Sequence, residues 1–240
     1  MGKFLHNILK CDTSFSMFIC STMLFGMEGS GMMIASRNGM AVEPVILPYA
    51  YQAEWIEADQ TGVSDLNNGP FIRTAYIPQL DDEFHFSMVQ GSWVNGNSLF
   101  GTCNGFRAYA FAQYSNEFWF GEKDLWPVIP GLNTISDIEV RGRKIYVNGS
   151  QVADGTDATQ EPIYAMCICG FNNQNRGSSY TGKYKFKGFT AHRNGVKIAD
   201  YIPVVDWSGI ACLYDKVGGG MFYNGRTGAN MGSFTAGPRK

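Results

Sequence analysis

Two carboxylates one residue apart, Asp137 and Glu139 in Ser136-Asp137-Ile138-Glu139-Val140, are the closest the sequence comes to an acid and nucleophile pair. Side chains alternate along a strand, so both would face the same way, as glycoside cleavage by paired carboxylates requires. Arg141 falls on that same face. The expectation is therefore a solvent-facing strand with a neutralising arginine, and Asp137 and Glu139 are assigned no catalytic role. The sequence has no GxSxG nucleophile elbow, no HExxH and no phosphate-cradling glycine loop opening a helix. It reads as a protein that is not an enzyme.

Sugar binding asks for different groups: flat aromatic faces for the C–H patch of a pyranose, with amides or a guanidinium beside them for its hydroxyls. Trp93, Asn95 and Asn97 share the stretch QGSWVNGN, and Arg107 and Tyr109 follow on an alternating segment. Trp119 and the loop FNNQNRG, with Asn172, Asn173 and Asn175, complete the candidate carbohydrate-binding set. Each member also has an ordinary reading, as a core aromatic or a turn-forming asparagine.

Metal and redox chemistry find little support. Cys11, Cys20, Cys103, Cys167, Cys169 and Cys212 contain no CxxC, and His6, His85 and His192 do not complete a ligand spacing. Free buried thiols are expected rather than disulfides, because a core of this size needs no staples. Calcium has only the acidic pairs Asp81-Asp82 and Asp154-Gly155-Thr156-Asp157 to use, neither with EF-hand spacing, and turn chemistry accounts for both. No cofactor is implied.

The chain that must position these groups has 240 residues, a net charge of −2, and 29 glycines beside 17 phenylalanines, 12 tyrosines and 5 tryptophans. Such a charge balance gives no field for a phosphate backbone, which argues against nucleic acid as a partner. The composition points to a turn-rich, aromatic-cored β protein.

Residues 1–50 differ from the rest. Phe15 to Met27 is nearly all apolar, a shorter run covers Gly31 to Ala35, and Met17, Met23, Met27, Met32, Met33 and Met40 lie among glycines. Neither run reaches the roughly 20 apolar residues of a membrane span. Lys3 and Lys10 before the run would suit a secretory signal, whereas Asp12 and the lack of a nearby A-x-A site oppose one. The other reading is an arm that docks on its own domain or on another subunit.

From Tyr51 the period is two. Asp82 to Gln90 puts Phe84, Phe86 and Met88 on one face, and Gly105 to Gln113 alternates likewise. Asn133 to Val152 reads as a three-stranded meander with turns at Arg141-Gly142 and Asn148-Gly149. Pro162 to Gly170, apolar on both faces, is expected to be an inner strand. Lys183 to Lys187 alternates with its lysines outward, a pattern that keeps a strand soluble and blocks edge pairing. The expected architecture is two packed antiparallel sheets.

Four segments resemble the concanavalin A-like lectin/glucanase sandwich, in the laminin-G-like form common in bacteriophage structural proteins and gut-bacterial surface proteins. They are Glu54-Trp55-Ile56-Glu57 with Phe71 to Pro78, Leu99-Phe100-Gly101 with Arg107, the meander from Ile138 to Gly149, and the tail. The tail is the most specific: Gly195 to Pro203, then Cys212-Leu213-Tyr214-Asp215-Lys216-Val217, then Ser233 to Pro238. The resemblance covers Tyr51 to Lys240 and has no counterpart for residues 1–50. It implies an all-β, two-sheet antiparallel jelly-roll sandwich (residues 51–240) behind an N-terminal arm (residues 1–50). The function it implies is a non-enzymatic virion structural, decoration or fibre protein, assembled in host bacterial cytoplasm, that displays a lectin-like domain to host-surface carbohydrate. Its partners would be other virion proteins through residues 1–50, a cell-surface glycan and further copies of itself as a homo-oligomer. The alternative is a secreted or surface carbohydrate-binding protein of bacteria whose leader is cleaved.

Overall fold

A computed structural model describes residues 46–59, 69–90, 97–104, 107–114, 117–120, 123–124, 134–154, 161–175, 178–179, 183–226 and 232–240. The chain divides into residues 1–45 and a compact unit from Ile46 to Lys240. Among the described residues every regular element is a strand. The strands are β1 (Tyr51–Gln52), β2 (Ile56–Asp59), β3 (Ile72–Arg73), β4 (Glu83–Val89), β5 (Asn97–Asn104), β6 (Arg107–Tyr114) and β7 (Glu117–Phe120). Next come β8 (Lys123–Asp124), β9 (Ile135–Arg141), β10 (Lys144–Val147), β11 (Ser150–Ala153), β12 (Cys167–Ile168) and β13 (Phe171–Asn173). The last are β14 (Ser178–Ser179), β15 (Lys185–Arg193), β16 (Val196–Val205), β17 (Ala211–Asp215), β18 (Met221–Phe222) and β19 (Ser233–Ala236).

They form two sheets. The first runs β11-β10-β9-β4-β15-β16-β17-β18, with β1 added at β16 and the β2–β19 pair added at β15. The second runs β14-β13-β5-β6-β7-β8, with β12 bridging β5 and β3. Among the described residues the pairing is antiparallel except between β13 and β5.

Aromatic rings join the sheets. Phe84 and Phe86 of β4 project inward as the two-residue period requires, and Phe86 stacks on Phe100 of β5 at 4.2 Å. Phe100 in turn stacks on Phe111 at 5.7 Å, and Phe84 meets Phe120 at 5.6 Å and Phe189 at 5.8 Å. Each such pair adds about 1 kcal/mol to the burial of its rings, so this cluster is the main tie between the layers. The arrangement is sandwich-like.

Turn chemistry sets the meander. Gly142 and Arg143 (φ 54° and 64°) close β9 to β10, and Asn148 and Gly149 (φ 50° and 78°) close β10 to β11. Two successive positive φ values match the twist of the paired strands. The first turn therefore lies one residue later than Arg141-Gly142, because Arg141 remains in the ladder opposite Lys144.

One strand expectation needs correction. Only Cys167–Ile168 of the stretch from Pro162 to Gly170 is a strand, although Met166 to Cys169 are fully buried. Its backbone is shared between β3 and β5, and Cys169 turns out of the ladder with φ 61°. The lysines of Lys183 to Lys187 face away from buried Tyr184 and Phe186, and β15 lies inside the sheet, flanked by β4 and β16. One of these lysines, Lys185, lies 4.5 Å over the Trp55 ring.

Trp55 also explains the tail. A Cβ on Gly237 would come within 2.6 Å of the indole Nε1, so glycine is what lets β19 lie against the ring. Gly237 N donates to Trp55 O at 2.8 Å, Glu54 N to Pro238 O at 2.9 Å and Lys240 N to Gln52 O at 2.9 Å. The opening and closing motifs thus form one seam.

Candidate functional site

The candidate sugar-binding residues divide by burial. Trp93 and Asn95 lie outside the described residues. Asn97, Arg107 and Trp119 are placed on β5, β6 and β7, with Asn104 opposite Arg107 and Ala112 opposite Trp119. Tyr109 stands opposite Thr102, and Thr102 stands opposite Asn172, so these three form a row across β6, β5 and β13. That row faces the core.

Tyr109 is 3% exposed and packs on Phe120 at 4.9 Å. Desolvation by burial, helped by the charge of Asp82, raises its phenol well above the ordinary value. Asn172 is completely buried, and its amide is consumed locally: Nδ2 donates to Ala165 O at 2.8 Å and to Asn175 Oδ1 at 3.0 Å, while Oδ1 accepts from Asn175 N at 2.9 Å. It folds the loop that follows β13, where Gln174 and Asn175 both take positive φ. Tyr109 and Asn172 therefore present no face to a ligand from solution. Asn173 is half-buried and Asn175 exposed.

Asp137 and Glu139 sit on the outward face of β9, as alternation predicts. His85 Nε2 lies 3.1 Å from Asp137 Oδ1, and Arg141 Nε lies 3.1 Å from Glu139 Oε2. Arg141 also lies over the Tyr146 ring at 4.2 Å. Each carboxylate has a cationic or imidazole partner on the same face. Among the described residues no three His, Cys, Asp or Glu side chains gather to hold a metal ion. Asp82 in particular is committed elsewhere, to Arg193, Tyr76 and Gln79 N.

A more coherent surface lies at the loop between β16 and β17. Asp206 N donates to Ile210 O at 3.0 Å, Gly209 N donates to Asp206 O at 3.0 Å, and Gly209 has φ 82°. Asp206 Oδ1 accepts from Ser208 N at 2.9 Å and from Ile210 N at 2.8 Å, so one carboxylate orders the whole loop. Trp207 occupies its tip and is 57% exposed, with Nε1 donating to Leu47 O at 3.2 Å. Tyr223 is 43% exposed, and its phenol feels the Asp206 carboxylate. Partial desolvation, the neighbouring Cys212 and that carboxylate raise its phenol above the ordinary value.

Beneath the loop is a small second core on the outer face of the sheet, formed by Tyr49, Val204 and Cys212 with Tyr214 and Met221 against them. Tyr49 packs on Tyr214 at 5.2 Å. Above it, Ile46, Leu47, Trp207, Ile210 and Tyr223 account for five of the ten large hydrophobic side chains that are exposed among the described residues. Isolated exposed apolar groups are ordinary, and their concentration around one ordered loop sets this face apart from the rest of the described surface.

No family model matches the chain, and no curated protein matches it in sequence. The site therefore rests on its own chemistry. Sequence reasoning passed over Trp207 and Tyr223, yet a signal was present. Asp-Trp-Ser-Gly between two apolar strands is a turn, and a tryptophan in the tip of a five-residue loop has no route back to the core.

Proposed function

We propose that this chain is a non-enzymatic virion structural or fibre protein. In this reading a concanavalin A-like jelly-roll sandwich is displayed at the particle surface to bind host carbohydrate, and residues 1–50 anchor it among other virion proteins in a homo-oligomer. The observation that carries the reading is a pair of exposed aromatic rings: Trp207 on an ordered hairpin loop, its indole N–H held by Leu47 O, and Tyr223 near that loop's Asp206. Rigid, exposed aromatic surface is what a saturated sugar ring stacks on. The motif-bearing ends add support, since Trp55, Gly237 and Pro238, all in segments that carry the resemblance, meet in one seam.

The test has two arms. Particles assembled with a chain lacking residues 1–50 should fail to incorporate it, and the intact chain should bind cell-surface glycans on an array. Incorporation of the truncated chain together with an array without binders would discard the proposal. The secreted alternative is favoured by Lys3 and Lys10 ahead of the apolar run. Mass spectrometry showing the mature protein to start at Met1 or Gly2 removes it.

A further inference from the structure

We infer that the Asp206–Ile210 loop, with the rings of Trp207 and Tyr223, is the subsite that takes the sugar, and that its ligand is an uncharged pyranose rather than an acidic one. The inference rests on the carbohydrate reading and assigns it to residues outside the Trp93 to Asn175 set.

The Trp207 ring has its polar edge occupied by the protein. Its indole N–H is directed to Leu47 O. What remains exposed on it is largely carbon, and Tyr223 adds a second exposed ring beside the loop. Such a surface suits the C–H face of a hexopyranose, which is apolar on that side while its rim stays hydrated. The loop is closed by two backbone bonds and by the two N–H groups on Asp206 Oδ1, so little conformational freedom remains to be lost on binding.

Charge narrows the ligand class. The Asp206 carboxylate is built into the loop, and exposed Ser208 is its neighbouring hydroxyl. A carboxylate accepts hydrogen bonds from sugar hydroxyls and repels the carboxylate of a uronic or sialic acid at the same place. The exposed aliphatic groups Ile46, Leu47 and Ile210 would instead suit a second copy of the chain, and the experiment separates that occupant from a sugar.

The full chain and its Trp207→Ala and Tyr223→Ala variants, each checked for native circular dichroism and sedimentation, are applied to an array of neutral hexose and N-acetylhexosamine oligosaccharides beside sialylated and uronate-containing ones. The inference expects the parent chain to bind neutral glycans in preference to acidic ones, and each variant to lose at least tenfold in apparent affinity with unchanged sedimentation. Neutral-glycan binding that survives both substitutions overturns this site and leaves the carbohydrate reading standing. Preference for acidic glycans overturns the ligand class. An array without any bound glycan overturns the site and the carbohydrate reading together. A fall in oligomer size in the Trp207→Ala variant overturns the inference in favour of a contact between copies.

Discussion

Arg193 grips Asp82 through a two-pronged contact, Nε to Oδ1 at 2.7 Å and Nη2 to Oδ2 at 2.8 Å, across 111 positions of sequence. Asp82 is buried, and its second oxygen also accepts from the Tyr76 hydroxyl and Gln79 N, both at 2.9 Å. The end of β15 is thereby fastened to the segment that leads into β4. Arg193→Met leaves a desolvated carboxylate with two neutral donors, and should cost roughly 3 kcal/mol in urea unfolding, with partial exposure of the arginine lowering that figure from the fully buried limit. Lys197→Met breaks only a surface pair with Asp200 and should cost less than about 1 kcal/mol. Equal costs would refute the asymmetry.

Gly101 should tolerate nothing larger. It sits opposite Ala110 with φ 134°, and a Cβ there would come within 2.5 Å of Tyr109 O and collide with the Ala110 backbone. Gly101→Ala should destabilise by more than about 3 kcal/mol or leave the protein insoluble. Gly149→Ala also meets a positive φ, 78°, but in open space, and should cost only about 1 kcal/mol. Comparing thermal midpoints of the two variants measures the difference.

Burial pushes the thiols of Cys167 and Cys169 up to about 12. Because the unfolded chain ionises these groups near their ordinary value of 9 and the folded chain does not, their contribution is whole below pH 9 and declines as pH rises towards 12. Unfolding free energy should fall by on the order of 1 kcal/mol per pH unit for each thiol in that window. Urea titrations at pH 8 and pH 10.5 read the slope, and a Cys167→Ala, Cys169→Ala double variant should flatten it. Below pH 9 both thiols should resist alkylation until the protein is unfolded.

Tyr184 places one hydroxyl between β5 and the residue that follows β12, accepting from Cys169 N at 2.9 Å and donating to Leu99 O. Its phenol is held far above its usual value, chiefly by desolvation. Tyr184→Phe should cost about 1–3 kcal/mol, since Leu99 O keeps only its bond from Cys169 N. Hydrogen exchange at the Cys169 amide should accelerate in the same variant. Unaltered exchange there would show that the hydroxyl does not hold this crossing.

Much of this architecture could be read from alternation and turn residues alone. Phe84, Phe86 and Met88 announced β4, and Asn148-Gly149 fixed a hairpin, because both signals are local. The central position of β15 was hidden, since an outward row of lysines looks the same in the middle of a sheet as at its rim. The interior placement of Tyr109 and Asn172 was hidden for a related reason. Alternation says that two faces exist, and only the register of β5 against β6 and β13 decides which one is covered. Trp207 was legible in retrospect, as a large aromatic between Asp206 and Gly209 with no strand to carry it inward.

The seam that sets Gln52 against Lys240 and Ala53 against Arg239 has a practical side. Where a unit's two termini emerge side by side, a host protein can receive it within a single surface loop with little separation of the insertion points.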